Sequence, residues 1–166
     1  MNTGEQTAPI EGDTSDRTLS IEEFKLKRGE VVGQSDWFVV DQALVDKFAD
    51  ITRDQQYIHV DPSKARDTVF GGTIAHGFLV LSMLSAFHAE AVPPLKGVKV
   101  AINSGFNRVR FVSPVKTGSR IRAVFVLAEI EEQKPGQWRT VLDVEVQIEG
   151  MSKPAMVAEW ITQWIF

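Results

Sequence analysis

The stretch Ile51–Phe87, ITRDQQYIHVDPSKARDTVFGGTIAHGFLVLSMLSAF, changes character halfway. Up to Gly72 it is polar, carries Asp54 and His59, and has no defensible period. From Ala75 to about Ala91 it is apolar on nearly every side, with Phe78, Leu79, Val80, Leu81, Met83, Leu84, Ala86 and Phe87 in close succession. A run of that length is too long for a strand. A helix apolar all round is one the rest of the chain encloses. Val92-Pro93-Pro94 ends it, because proline cannot continue a helix.

Beyond the helix the pattern becomes that of strands. Val98–Val112 reads as one, with a break near Gly105. Arg120–Glu131 alternates, placing Ile121, Ala123, Phe125 and Leu127 on one face. In Trp138–Glu149, Leu142, Val144, Val146 and Ile148 alternate with Asp143, Glu145, Gln147 and Glu149. Lys134-Pro135-Gly136-Gln137 is the hairpin between these two, and Gly150–Pro154 turns into a last strand bearing Met156, Ala158, Trp160 and Trp164 on one face.

On the other side of the helix, Val31–Val40 reads as extended chain. Asp41 caps a short amphipathic helix over Ala43–Ile51, and Ser63–Arg66 is a further helical turn. Glu22–Leu26 is another short turn. Residues 1–20 are polar and acidic without apolar period, which predicts a disordered tail ahead of one domain over 21–166. One buried helix among antiparallel strands gives an α+β architecture, a curved antiparallel sheet wrapped round a long central helix. Such a sheet leaves edges, and pairing two copies edge to edge removes one of them, so a homodimer is expected.

Composition excludes several classes of function. A net charge of -4 with no basic cluster argues against nucleic acid. With no cysteine there is no disulfide, thiol nucleophile or zinc–thiolate site. The apolar run is interrupted by His76, Ser82, Ser85, His88 and Glu90, so it does not read as a membrane span, and the N-terminus lacks the pattern of a signal peptide. The cytoplasm is the default expectation. No His-x-x-x-His or Gly-x-Ser-x-Gly pattern appears, so metal hydrolysis and the serine-hydrolase elbow lack support.

Asp54 and His59, five residues apart, are the acid–base candidates. In an arbitrary loop they would be a surface carboxylate and a surface imidazole. Here Ile51 and Ile58 flank them and an enclosed helix follows, and a dry cleft lets such a pair divide acid and base roles. Gly77 stands at the helix start, where unpaired N–H groups and the dipole favour a developing oxyanion; the same glycine also fits a plain loop–helix junction. Ser85 lies two helical turns further on, with Ser82 an equal candidate by composition. His76 and His88 read as structural. Lys64, Arg66, Arg108, Arg110 and Lys116 are the cations available to a phosphate, each more readily read as an ordinary solvated charge.

Two segments, Asp54-Gln55-Gln56-Tyr57-Ile58-His59-Val60-Asp61-Pro62 and Gly72-Thr73-Ile74-Ala75-His76-Gly77-Phe78-Leu79, resemble the MaoC-like, (R)-specific enoyl-CoA hydratases, in particular the single-domain branch that includes nodulation protein N. Asn103–Phe111 and Pro114-Val115 carry the likeness downstream, and it runs from about Gly29 to the C-terminus. The resemblance implies the hotdog fold. It implies hydration of trans-2-enoyl-CoA to (R)-3-hydroxyacyl-CoA, or the reverse dehydration, in fatty-acid metabolism. No metal or cofactor is implied beyond the CoA of the substrate. It implies that Asp54 and His59 are catalytic, that Gly77 N–H receives the thioester oxygen, and that Gln56 and Ser85 support the site. Gln56 and Tyr57 depart from the asparagine and proline common in the family. In the mechanism this suggests, Asp54 takes a proton from water and His59 delivers one to the α-carbon. Rival readings are a dehydratase acting on carrier-protein thioesters, a hotdog thioesterase and a non-catalytic acyl-binding protein.

Overall fold

A computed structural model describes residues 18–166, so the tail expected over 1–20 falls mostly outside the described residues. Its last part belongs to the fold. Leu19 bridges Leu95, donating to the Pro94 carbonyl at 3.0 Å and accepting from Lys96 N–H at 2.8 Å. Ser20 caps α1 (Ile21–Lys25) in a capping box with Glu23, and Phe24 of that helix is fully buried.

The chain continues through β1 (Val31–Gln34), β2 (Phe38–Val39), α2 (Gln42–Thr52), α3 (Tyr57–Val60), α4 (Pro62–Arg66), α5 (Gly77–Ser82), α6 (Leu84–Ala91), β3 (Val100–Phe111), β4 (Arg120–Lys134), β5 (Gln137–Ile148) and β6 (Met156–Ile165). The strands form one six-stranded antiparallel sheet in the order β1-β4-β5-β6-β3, with β2 also paired to β4. The hairpin at 134–137 is as expected, and the inward faces meet in register: Phe125 opposite Val144, Leu127 opposite Leu142, Leu142 opposite Trp160. Bulges interrupt β1, β3 and β4 and bend the strands.

The helical run lies on the inner face of this sheet. Leu79, Val80, Leu84, Phe87 and Ala91 share one core with Ile121, Phe125, Leu142 and Trp160. The last turn of α6 comes so close to β1 that a Cβ on Gly33 would stand 2.7 Å from the Ala91 carbonyl.

Two expectations need correction. The helix is not continuous: it breaks at Met83, one residue after Ser82, whose hydroxyl donates back to the Phe78 carbonyl at 2.7 Å, a contact that bends helices. Nor is it enclosed on every side. Phe78 is 69% exposed, and Ser82, Ser85 and Ala86 are exposed with it. This flank meets the sheet only at β3, where Ser85 accepts from Asn103 Nδ2 and Phe78 stands edge-on to Phe111, and those contacts leave it exposed. Apolar composition cannot tell a face buried by its own chain from one left for another. The segment 52–72, which showed no period, contains α3 and α4, each too short to display one.

Candidate active site

The site is built by the chain between α2 and α5. Asp41 caps α2 by accepting from Leu44 N–H at 2.8 Å. The helix ends at Arg53 in the left-handed region, φ 60°, and that reversal releases Asp54. The Asp54 carboxylate meets a long contact from Gln56 N–H, 3.4 Å, and stands 4.0 Å from His76 Nε2; its side chain is 54% exposed. Three residues on, the single turn of α3 carries His59 inward, where it is 7% exposed. A second turn, α4, capped by Asp61, carries the chain to Gly71 and Gly72. It then runs back beside α3, Ile74 N–H donating to the Ile58 carbonyl at 3.0 Å.

That return fixes the imidazole. His59 Nδ1 lies 2.7 Å from the Ile74 carbonyl oxygen, which can only accept, so Nδ1 carries the proton and donates. In the neutral ring Nε2 then holds a free lone pair. Burial is the chief influence on this imidazole and holds it below its ordinary 6.5; the Ile74 hydrogen bond opposes that, His76 reinforces it, and Asp54 opposes it.

His76, read from sequence as structural, stands inside the site. Its ring stacks on His59 with centroids 3.8 Å apart and planes tilted by 26°. Its Nε2–H donates to the Asp54 backbone carbonyl at 3.0 Å, so it holds the loop that carries the carboxylate. Its Nδ1 is buried without a partner. Gln42 on α2 adds a second tie. Its amide donates to the His59 carbonyl at 2.7 Å, and its oxygen accepts from Thr73, whose hydroxyl also meets that of Thr117. Nothing in the local sequence marks Gln42 or Thr73, because their partners are brought together only by the fold. The His76-Gly77 pair at the helix start was a visible signal.

His59 opens on a cavity of about 300 Å³, lined also by Phe70, Ile74, Gly77, Val80 and Phe111. Gly77 N–H, at the first position of α5, has no hydrogen-bond partner among the described residues. The Phe111 ring presses on this glycine: a Cβ would stand 3.1 Å from three ring atoms. Asp54, His59 and Gly77 thus come together, and the ligating atoms of Asp54, His59 and His76 lie within 4.8 Å of one another. The stacked rings are ill arranged to share one ion: an imidazole binds a metal in its own plane at ~2 Å, and these two rings lie nearly face to face, with centroids 3.8 Å apart and planes tilted by 26°.

Neither residue expected to support the site, Gln56 or Ser85, hydrogen-bonds Asp54 or His59 through its side chain. The Gln56 side chain is exposed and makes no hydrogen bond; only its backbone reaches Asp54. The Ser85 hydroxyl accepts from Asn103 Nδ2 at 3.0 Å, away from His59. Among the cations, Lys64 pairs with Asp61 at 3.2 Å and Arg108 with Glu159 at 3.0 Å. Lys116 Nζ approaches the Gly71 turn: a Cβ there would lie 3.9 Å from it.

Comparison with known proteins agrees with this geometry. The profile of the MaoC like domain matches residues 23–151. Nodulation protein N of Rhizobium leguminosarum bv. viciae is 46% identical over 145 residues, covering 87% of this chain and 90% of that protein. The 3-hydroxyacyl-thioester dehydratase Z of Mycobacterium tuberculosis is 44% identical over 146 residues, covering 88% and 96%. Among solved structures, the (R)-hydratase from A. caviae involved in PHA biosynthesis superposes with a TM-score of 0.66 at 27% identity, covering 80% of this chain and 95% of that one. The chain belongs to the MaoC-like dehydratase family and has its hotdog fold.

Proposed function

We propose that this protein adds water to trans-2-enoyl thioesters, giving (R)-3-hydroxyacyl thioesters, or runs the reverse dehydration, with acyl-CoA as substrate. One observation carries the reading. The His59 imidazole, its Nε2 unpaired, lies within 4.8 Å of the Asp54 carboxylate, beside an apolar cavity that also contains the first residue of α5. A gap of that size takes one water bonded at ~2.8 Å to each side.

The chemistry follows from the tautomer. Neutral His59 has no proton to give from Nε2, so it receives one from the water as the water oxygen bonds to the β-carbon. The resulting imidazolium then passes that proton to the α-carbon. Asp54 holds the water and offsets the imidazolium charge. Relative to the mechanism suggested by sequence, the base role moves from Asp54 to His59, while delivery to the α-carbon stays with His59. Charge that develops on the thioester oxygen is met by Gly77 N–H, a donor typically worth ~3 kcal/mol. The proposed steps use no metal or added cofactor; CoA arrives with the substrate.

A homodimer is part of the proposal. The outer edge of β3 is unpaired among the described residues, and Val100, Ile102, Phe106 and Phe111 on that strand are exposed beside Phe78. A second copy across this edge would cover them and shelter Asp54. A dehydratase working on carrier-protein thioesters shares every step, and the mycobacterial relative's name favours the dehydration direction. A thioesterase is less well supported. The helix offers no carboxylate before Glu90, and Glu90 accepts from Asp36 N–H at 2.7 Å.

The test is Asp54→Asn with crotonyl-CoA. Loss of the enoyl absorbance change, with an unaltered melting curve, is the expected result. Near-normal rates would discard the assignment, and release of free thiol would point to the thioesterase.

A further inference from the structure

Three groups of the proposed reaction meet at one side chain that none of its steps uses. His76 precedes Gly77 in the chain, at the N-cap of α5, and is 3% exposed. Its ring stacks on His59, and Phe48 of α2 packs against it with centroids 5.1 Å apart. Its Nε2 lies 3.0 Å from the Asp54 backbone carbonyl and 4.0 Å from the Asp54 carboxylate.

The two nitrogens of this ring are placed differently. A carbonyl oxygen can only accept, so Nε2 carries the proton and donates to Asp54. In the neutral ring Nδ1 is then a bare lone pair, buried with no partner among the described residues. A proton carrier needs a nitrogen that reaches the reacting atoms, directly or through one water. Nδ1 has no such reach, and the Nε2 proton is committed to the backbone. What is left to His76 is placement, and Asp54 needs it. The Asp54 side chain is 54% exposed, and its contact with Gln56 N–H is long, 3.4 Å. The shorter bond, from His76 to the Asp54 carbonyl, is the one that keeps this carboxylate within 4.8 Å of His59.

We infer that His76 is a positioning residue: its one N–H holds Asp54 in place against His59 and Gly77, and its imidazole carries no proton in the reaction. This deepens the proposed function and rests on it for the roles of those three groups. The tautomer on which the tie depends does not require turnover.

Two variants of the full chain separate placement from proton transfer and from packing, read as kcat and KM for crotonyl-CoA. His76→Phe keeps a ring against His59 and loses the donor. Its kcat should fall on the order of ten- to a hundredfold with KM nearly unchanged, because a misplaced carboxylate slows the reaction without weakening substrate binding. His76→Gln returns an amide N–H near the position of Nε2–H and cannot titrate, so it should recover most of the lost rate. A proton carrier would lose equally in both variants, and a ring needed only for packing would survive as Phe. Either result would overturn the inference. The chain has three histidines, so heteronuclear NMR resolves each imidazole, and the variants identify the His76 signals by their loss. Above neutral pH, His76 should show the Nε2–H tautomer, opposite to the Nδ1–H tautomer of His59. A proton on His76 Nδ1 in the unaltered chain would overturn the inference even if both variants melt early. Opposite tautomers in a chain that does not hydrate crotonyl-CoA would uphold the tie and sink the proposed reaction instead.

Discussion

The two ends of the central helix bury histidine in opposite ways. At the amino end, His59 and His76 stack on one another, and each donates to a backbone carbonyl, of Ile74 and of Asp54. At the other end, His88 sits among Phe125, Trp160 and Trp164 with no hydrogen bond to Nε2. Carbonyl contacts fix a ring's tautomer and orientation, which acid–base chemistry requires. Aromatic walls fix only its position and leave Nε2 without a partner. Burial alone therefore does not mark a histidine as catalytic; the partner of its second nitrogen does.

The contrast is broken most directly at His59. His59→Gln should lower crotonyl-CoA hydration on the order of 10²–10⁴-fold with the fold retained. A loss of only a few-fold, read from enoyl absorbance, would remove the distinction between the two ends. Because the folded His59 lies below 6.5, the acid limb of the rate profile should fall below that pH.

The far end should show itself in stability. His88 has a folded value of about 4 against 6.5 for an ordinary histidine, so the unfolded chain binds its proton more readily. Its contribution is present above pH 6.5 and is lost as pH falls towards 4, amounting to about 3 kcal/mol. Denaturant titrations of the unaltered chain and of His88→Leu across this window should diverge in slope, with the variant flatter. Parallel slopes would mean that His88 is more hydrated than its aromatic walls suggest.

Two smaller effects sharpen the amino end. Gln42→Leu strands the buried His59 carbonyl and should cost about 1–3 kcal/mol in denaturant titrations. It should also lower kcat more than it raises KM. Gly77→Ala, crowding Phe111 at 3.1 Å, should cost about 1 kcal/mol. A second change, Phe111→Leu, should relieve part of that cost, measured as non-additivity of the melting free energies.

The sheet was legible in the sequence because β4, β5 and β6 each bury one face, and burial of one face writes an alternating pattern. Asp54, His59 and Gly77 were legible because they fall in two short segments whose order and spacing resemble a known family. Gln42 and Thr73 were not, and His76, though visible beside Gly77, was read as structural. A polar residue's role is set by what the fold places against it, and Gln42 meets His59 from another helix. The exposed flank of the helix escaped for a related reason, since Phe78 looks the same in sequence whether its own chain covers it or not. Ser85 was placed correctly on the helix, but its partner is Asn103 rather than Asp54 or His59.

The irregular β3 edge has one more consequence. Its ladder to β6 slips twice, between Asn103 and Gly105 and again between Phe106 and Arg108. A smooth ribbon would accept a stranger at any offset of two residues and could template endless stacking. A notched ribbon fits a neighbour in one alignment, so the same irregularity that bends the strand also guards the molecule against fibre growth.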